Sequence, residues 1–173
     1  MTGTVILSHG LESGPDASKA TAMAIAAERL GWRTLRPDYR DLDTGNGLPG
    51  AHLRLQRLLD EARSVAGPPV LAGSSFGAFI SGLASLQVEV RGLFLLALPL
   101  RLPGFDGAFD LAPVPTCVVH GWHDELIPAQ AVFDFCARRD IELQLVNDSH
   151  RLSGYVDSCG ARFAEFLRRL PAL

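Results

Sequence analysis

The chain has 173 residues, of which 47% are hydrophobic and 20% are charged, and its formal net charge is −3. This length and composition indicate one globular domain with a sizeable core. The charge is slightly negative and no stretch is strongly basic, so nucleic acid and anionic membranes are not expected as partners. No apolar run approaches the roughly 20 residues that a membrane-spanning helix needs.

Strand-like apolar runs alternate with amphipathic helix-like stretches along the chain. The predicted strands are residues 4–8, 33–37, 70–73, 93–98, 116–120 and 142–146. The predicted helices are residues 18–30, 48–65, 76–86, 129–138 and 157–170. Such alternation forms βαβ units, so we expect an α/β fold over residues 1–173: a three-layer αβα sandwich with about six parallel strands.

The cysteines and the N-terminus bear on the compartment. Cys117, Cys136 and Cys159 are an odd number at unrelated spacings, which is typical of buried thiols in a reducing compartment and not of disulfides or a metal site. The first predicted strand begins at Thr4 with no basic segment before it, so we expect no signal peptide. These features together predict a cytoplasmic protein.

Gly73, Ser75 and Gly77 form a G-x-S-x-G pentapeptide between the third predicted strand and the helix after it. A serine on such a turn is held in a strained backbone conformation that exposes its hydroxyl. The flanking glycines avoid collisions where the strand and the helix cross. The alternative is a flexible Gly/Ser turn. The strand and helix on either side favour Ser75 as the nucleophile of a serine hydrolase.

Two further candidate residues follow later strands, at the edge where the carboxyl ends of parallel strands meet. Asp124 follows the fifth predicted strand and His150 the sixth. A serine needs a base to take its proton, and the base needs an acid to orient it, so Ser75, Asp124 and His150 are predicted to form a catalytic triad. Asp124 could instead cap the next helix, and His150 could be a surface histidine. Asp148 is a rival acid, although its closeness to His150 favours a role in the turn.

The oxyanion hole of such a site needs two backbone N–H groups. Phe76, directly after the nucleophile, is expected to supply one. Leu11 is expected to supply the other, because Gly10 lets the backbone turn in the loop after the first strand. The side chains of Leu11, Phe76 and Trp122 and parts of residues 99–110 are candidate walls of the substrate site.

The remaining histidines divide by position. His123, beside Trp122, is a candidate pocket residue, and so is His9, although its place before Gly10 favours organising the loop. His120 falls inside a strand and is expected in the core. His52 lies on a helix face and is expected in solvent. No spacing among the histidines and carboxylates suggests a metal site.

The sequence resembles the α/β-hydrolase superfamily over nearly its whole length, and within it the small, lidless bacterial serine esterases. The resemblance rests on residues 8–15 with Ser18, Lys19 and Ala20 after them, and on residues 73–77, 120–128 and 148–150. It implies a minimal α/β-hydrolase fold with strand order 2-1-3-4-5-6. The chain lacks the N-terminal antiparallel hairpin of larger members and the helices that form their lid.

These features predict hydrolysis of small or short-acyl carboxylic esters (EC 3.1.1) through an acyl-enzyme, without a cofactor. The same triad could serve a thioesterase, a peptidase or a C–C hydrolase, and the fold could instead serve a non-catalytic binding protein. The expected partner is a small-molecule ester, and a homodimer remains open. Residues 41–49, which contain glycines, are an alternative cover for an otherwise open site.

Overall fold

The computed structural model describes residues 2–43 and 50–171. The strands are β1 (Thr4–Ser8), β2 (Arg33–Leu35), β3 (Val70–Ser74), β4 (Gly92–Leu96), β5 (Thr116–Gly121) and β6 (Glu142–Val146). The helices are α1 (Ser18–Glu28), α2 (Ala51–Ser64), α3 (Phe76–Ser85), α4 (Ala129–Arg138) and α5 (Val156–Arg169), and a 3-10 turn (Ser153–Tyr155) leads into α5. All neighbouring strands are parallel in the order β2-β1-β3-β4-β5-β6. The predicted fold and strand order are confirmed.

Element ends differ from the predicted ones by a few residues, for local reasons. The first helix ends at Glu28 instead of residue 30, because the chain reverses at Gly31, whose φ is 78°. Strand β4 ends at Leu96 instead of residue 98, because the next residue, Ala97, takes a left-handed φ of 48°. The predicted start of the second helix, at residue 48, lies outside the described residues.

Both faces of the sheet are covered, which is why its central strands are apolar throughout. On β1, Ile6 faces the core under α2, α3 and α4, whereas Val5 and Leu7 face the core under α1 and α5. The second core is closed by Phe163 of α5, which packs on Phe94 of β4 with ring centroids 4.9 Å apart. The sheet therefore holds the loops at its carboxyl edge on a rigid base.

No helix lies in the β4–β5 connection, residues 97–115, all of which the structure describes. The connection folds back onto α3, where Phe105 and Phe109 pack on Phe79 with ring centroids 5.2 Å and 5.1 Å apart. The fold is therefore lidless at this position, as predicted. Of the alternative cover, residues 44–49 lie outside the described residues.

Two further features concern the helices and the cysteines. Among residues 2–43 and 50–171, no helix combines the length and apolarity that crossing a bilayer requires. Cys117, Cys136 and Cys159 are buried, free thiols. Burial raises the pKa of Cys117 and Cys136 to about 11 and that of Cys159 to about 12, so all three are neutral and unreactive at physiological pH.

Candidate active site

Ser75 lies on a sharp turn between β3 and α3, with φ 52° and ψ −116°. This left-handed conformation is unfavourable for a residue with a side chain and persists only where packing enforces it. A β-carbon on Gly73 would lie 2.4 Å from the backbone of Gly77, and one on Gly77 would lie 2.0 Å from the carbonyl oxygen of Ser8. Both glycines are therefore required by backbone contacts. The N–H of Ser75 donates to the carbonyl of Leu96 (2.8 Å), which fixes the turn to the end of β4.

Three residues predicted to form the triad lie in one hydrogen-bonded chain. The Ser75 Oγ is 2.9 Å from the His150 Nε2, and the His150 Nδ1 is 2.8 Å from the Asp124 Oδ2. Because a carboxylate only accepts hydrogen bonds, the Nδ1 carries the proton and the Nε2 presents its lone pair to the serine. A neutral imidazole held in this way can take the hydroxyl proton.

The carboxyl group of Asp124 is fully enclosed and well partnered. Its Oδ1 accepts the N–H groups of Leu126 (2.9 Å) and Ile127 (2.8 Å), while its Oδ2 faces His150. Burial by itself raises the pKa of Asp124, but the hydrogen bonds from His150 and from these two amides outweigh burial and lower it. Asp124 is therefore a carboxylate at neutral pH, able to orient His150 and to stabilise its positive charge.

The loop that carries His150 is held against the end of β5. A β-carbon on Gly121 would lie 2.6 Å from the Asp148 carbonyl and 2.5 Å from the Ser149 carbonyl, so the two loops touch through their backbones. The carboxylate of Asp148 accepts the N–H groups of Ser149 (2.7 Å) and Gly154 (2.9 Å), which places it as a turn residue and not beside the His150 ring. The backbone N–H of His150 donates to Glu125 (3.1 Å).

The two predicted oxyanion donors lie next to the nucleophile. Phe76 follows Ser75 at the start of α3, and the loop after β1 lies so close that a β-carbon on Gly10 would be 3.7 Å from that of Ser75. Within the described residues, the N–H groups of Leu11 and Phe76 donate no hydrogen bond, so both are available to a ligand oxygen. The Phe76 side chain is 2% exposed and packs into the core, so the suggestion that it is a substrate wall is wrong.

The three candidate pocket residues lie in different environments. Trp122 is 59% exposed and His123 is exposed, both on the loop after β5. The side chain of His9 is fully buried: its Nδ1 is 2.8 Å from the Gly10 carbonyl, and its Nε2 accepts the N–H of Tyr39 (3.0 Å). Burial lowers the pKa of His9, so the ring is neutral and shapes the loop.

Two buried polar residues at the site were not identified from the sequence. His120, expected only as a core residue, places its Nε2 3.0 Å from the Ile127 carbonyl and 3.3 Å from the Asp124 Oδ2. Arg54 lies beneath the loop after β1 and bonds its backbone. A usable signal existed for Arg54, because it precedes Leu58 by four residues and so occupies the buried stripe of α2.

Two surface grooves, of about 510 Å³ and about 600 Å³, lie away from Ser75. One runs along α2, and the other lies between the β4–β5 connection, the turn that follows α4, and α5. Neither groove includes a predicted site residue. The loops after β1 and β5 present exposed large apolar side chains at this edge of the sheet: Leu11 (40% exposed), Trp122 and Leu126.

A six-stranded parallel sheet with a strained serine turn at the end of β3 defines the class of α/β hydrolases. A protein of known structure from Xanthomonas campestris pv. campestris, assigned to the α/β hydrolase superfamily, is 49% identical with a TM-score of 0.94, over 97% of this chain and 99% of that one. The chain belongs to the α/β-hydrolase superfamily.

More distant structures share the same fold. An α/β serine hydrolase without a lid from Xanthomonas campestris is 27% identical, with a TM-score of 0.77 over 99% of this chain and 84% of that one. An α/β serine hydrolase homologue from Coxiella burnetii is 24% identical, with a TM-score of 0.74 over 96% and 86%. No family model and no curated protein matches the chain.

Proposed function

We propose that the protein is a serine esterase that hydrolyses small carboxylic esters with short acyl groups through an acyl-enzyme. The observation that carries the proposal is the continuous chain of hydrogen bonds from Asp124 through His150 to Ser75, beside two unpaired backbone N–H groups. Such a chain supplies a nucleophile, a base, an orienting acid and oxyanion donors in one place.

The proposed reaction has two steps, acylation of Ser75 and hydrolysis of the acyl-enzyme. The Ser75 Oγ attacks the ester carbonyl carbon while the His150 Nε2 takes its proton, and the N–H groups of Phe76 and Leu11 hold the oxyanion. Collapse of this intermediate breaks the bond to the alkoxy oxygen, which leaves as an alcohol with the proton from His150. Water then attacks the acyl-enzyme, gives a proton to His150 and releases the acid, and that proton returns to Ser75.

The preference for short acyl groups rests on the lidless β4–β5 connection. This connection, all of which the structure describes, contains no helix that could cover the serine, and the two grooves described above lie away from it. A long acyl chain would gain little burial here, so the binding energy available for selecting it is small. The buried free thiols support a reducing, cytoplasmic setting for this activity.

The decisive experiment is labelling by a fluorophosphonate probe, which reacts only with an activated serine. We expect the wild-type protein and Ser74→Ala to be labelled and Ser75→Ala to be unlabelled, because the adjacent Ser74 is outside the hydrogen-bonded chain. Ester turnover should fall by about 10⁴-fold or more in Ser75→Ala. An unlabelled wild-type protein would support the non-catalytic alternative.

A substrate panel separates the reaction classes on the same triad. Aryl esters of two to twelve acyl carbons, matched thioesters and matched amides would be compared by kcat/KM. We expect short esters to be cleaved fastest. A higher kcat/KM for the thioester or the amide of the same acyl group would replace the esterase proposal with one of the alternatives.

A further inference from the structure

We propose that Arg54 is a positioning residue that fixes the orientation of the oxyanion hole. The inference rests on the proposed function and concerns a side chain that touches neither the substrate nor the triad. Arg54 is 0% exposed in the first turn of α2, although a buried arginine is costly unless its donors are used.

The guanidinium of Arg54 is bonded on two sides. Its Nη1 donates to the carbonyl of His9 (2.8 Å) and its Nη2 to the carbonyl of Gly10 (3.3 Å), both in the loop after β1. On the other side, its Nε donates to the Asp43 Oδ1 (2.8 Å), and its Nη2 also bonds the Asp43 Oδ2. The charge is therefore paired, and the remaining donors are directed at the loop that carries Leu11.

The bond to the Gly10 carbonyl matters because of peptide geometry. The Gly10 C=O and the Leu11 N–H belong to one planar trans peptide unit and point in opposite directions. Donors on the Gly10 oxygen therefore set the direction of the Leu11 N–H. Two donors hold this oxygen, the His9 Nδ1 (2.8 Å) and the Arg54 Nη2, and rotation of the peptide plane would break both bonds.

Arg54 also contacts the second donor residue. Its guanidinium carbon lies 4.4 Å from the centroid of the Phe76 ring and 4.9 Å from that of Tyr39. The Phe76 side chain is thus packed against the same group that holds the Gly10 carbonyl. One planar side chain therefore contacts both the peptide unit that ends in the Leu11 N–H and the side chain of Phe76, the other proposed oxyanion donor.

This arrangement needs arginine and not merely a positive charge. Only the guanidinium supplies donors in one plane to a carboxylate on one edge and to carbonyls on the other while stacking on a ring. A lysine could pair with Asp43 or with one carbonyl, but it could not hold the loop and stack on Phe76 together.

The test compares Arg54→Lys and Arg54→Met with the wild-type protein. A merely structural arginine would lower stability and leave the kcat of the folded fraction unchanged. If Arg54 positions the hole, kcat falls while KM changes little, because the interaction lost is made in the transition state. Since loss of one oxyanion donor costs about 10²–10³ in kcat, we expect about 10- to 10³-fold for Arg54→Met and a smaller loss for Arg54→Lys.

A boronic acid inhibitor gives a second readout. It forms a tetrahedral adduct with Ser75 whose negative oxygen occupies the oxyanion hole. We expect its inhibition constant to rise by a factor similar to the loss in kcat/KM. The matched control is Arg63→Met, which removes an exposed arginine from the last turn of the same helix and should leave kcat and the inhibition constant unchanged.

The outcomes separate this inference from the proposed function. If the wild-type protein is labelled and active but folded Arg54→Lys and Arg54→Met keep its kcat and boronate affinity within about twofold, the positioning role is wrong and the esterase proposal stands. If the wild-type protein itself is inactive and unlabelled, the proposed function fails. Should both Arg54 variants fail to fold, Asp43→Asn decides, because it weakens the anchor of Arg54 and should lower kcat in the same way.

Discussion

Replacing Gly77 with alanine is expected to lower kcat strongly, because the added β-carbon pushes apart the backbone segments that surround Ser75. The added β-carbon would lie 2.0 Å from the Ser8 carbonyl oxygen and 2.9 Å from that of His9. An ordinary contact begins at 3.4 Å, so the end of β1 and the start of α3 must separate by about 1.4 Å. Both segments carry predicted oxyanion donors, and an error of this size in the position of reacting groups costs about 10²-fold in rate.

The matched control is Gly82→Ala, on the same helix and further from Ser75. Its β-carbon would lie 2.6 Å from the end of the Phe109 ring, a side chain that can move, and not from backbone. Overpacking costs about 1–3 kcal/mol, and replacing a helical glycine with alanine offsets about 1 kcal/mol of this cost. We therefore expect Gly82→Ala to lose about 0–2 kcal/mol of stability with its kcat unchanged.

The assay is the initial rate on a short aryl ester, divided by the folded fraction of the protein that urea unfolding gives under the same conditions. Gly77→Ala should lose about 10²-fold in kcat per folded molecule. A kcat for Gly77→Ala within threefold of wild type, or an equal loss in Gly82→Ala, would refute the backbone-contact argument.

In steady-state kinetics, Asp124→Asn should lower kcat by about 10⁴-fold through loss of the orienting acid, whereas the kcat of Asp148→Asn should stay within about tenfold of wild type. A larger loss in Asp148→Asn than in Asp124→Asn would identify Asp148 as the orienting acid. Since burial lowers the pKa of His9, the unfolded chain takes up a proton below about pH 6.5 that the folded protein does not, so stability should fall as pH drops below 6.5. Urea unfolding at pH 7.5 and 5.5 should show a smaller loss in His9→Gln, and an equal loss would show that His9 is not the group responsible. The lidless site predicts hyperbolic kinetics on dissolved short-chain esters with no jump in rate when the substrate passes its solubility limit; a jump would point to residues 41–49 as a cover.

The parts of the site that the sequence predicts are those encoded by neighbours in the chain. The spacing of Gly73, Ser75 and Gly77 predicts the serine turn, because backbone contacts in this turn exclude a β-carbon at the two glycines. The positions of Asp124 and His150 after apolar strands predict their roles, since the carboxyl ends of parallel strands meet at one edge. The order of the strands, in contrast, is predicted only by the resemblance to the α/β-hydrolase superfamily.

The parts of the site that the sequence does not predict depend on how the chain turns in three dimensions. Arg54 looks like a polar residue on an amphipathic helix until the loop after β1 is placed over it, 44 and 45 residues away in the chain. His120 reads as one buried strand residue, and only the turn that follows brings Asp124 back to it. The sequence predicts the Phe76 side chain as a wall of the substrate site, but this side chain lies in the core. Adjacency to Ser75 indicates where the Phe76 backbone lies and not where its ring points.

The β4–β5 connection is anchored in a way that allows chain to be inserted into it. Phe109 secures the connection to α3, whereas Gly104, at φ 79°, has nothing within 4 Å of where a β-carbon would be. Extra chain inserted at Gly104 would leave the aromatic anchor and the sheet intact, and each doubling of loop length costs only about 0.6 kcal/mol in closure entropy. The same scaffold can therefore acquire or lose a substrate-selecting cap at one loop tip without any rebuilding of the core.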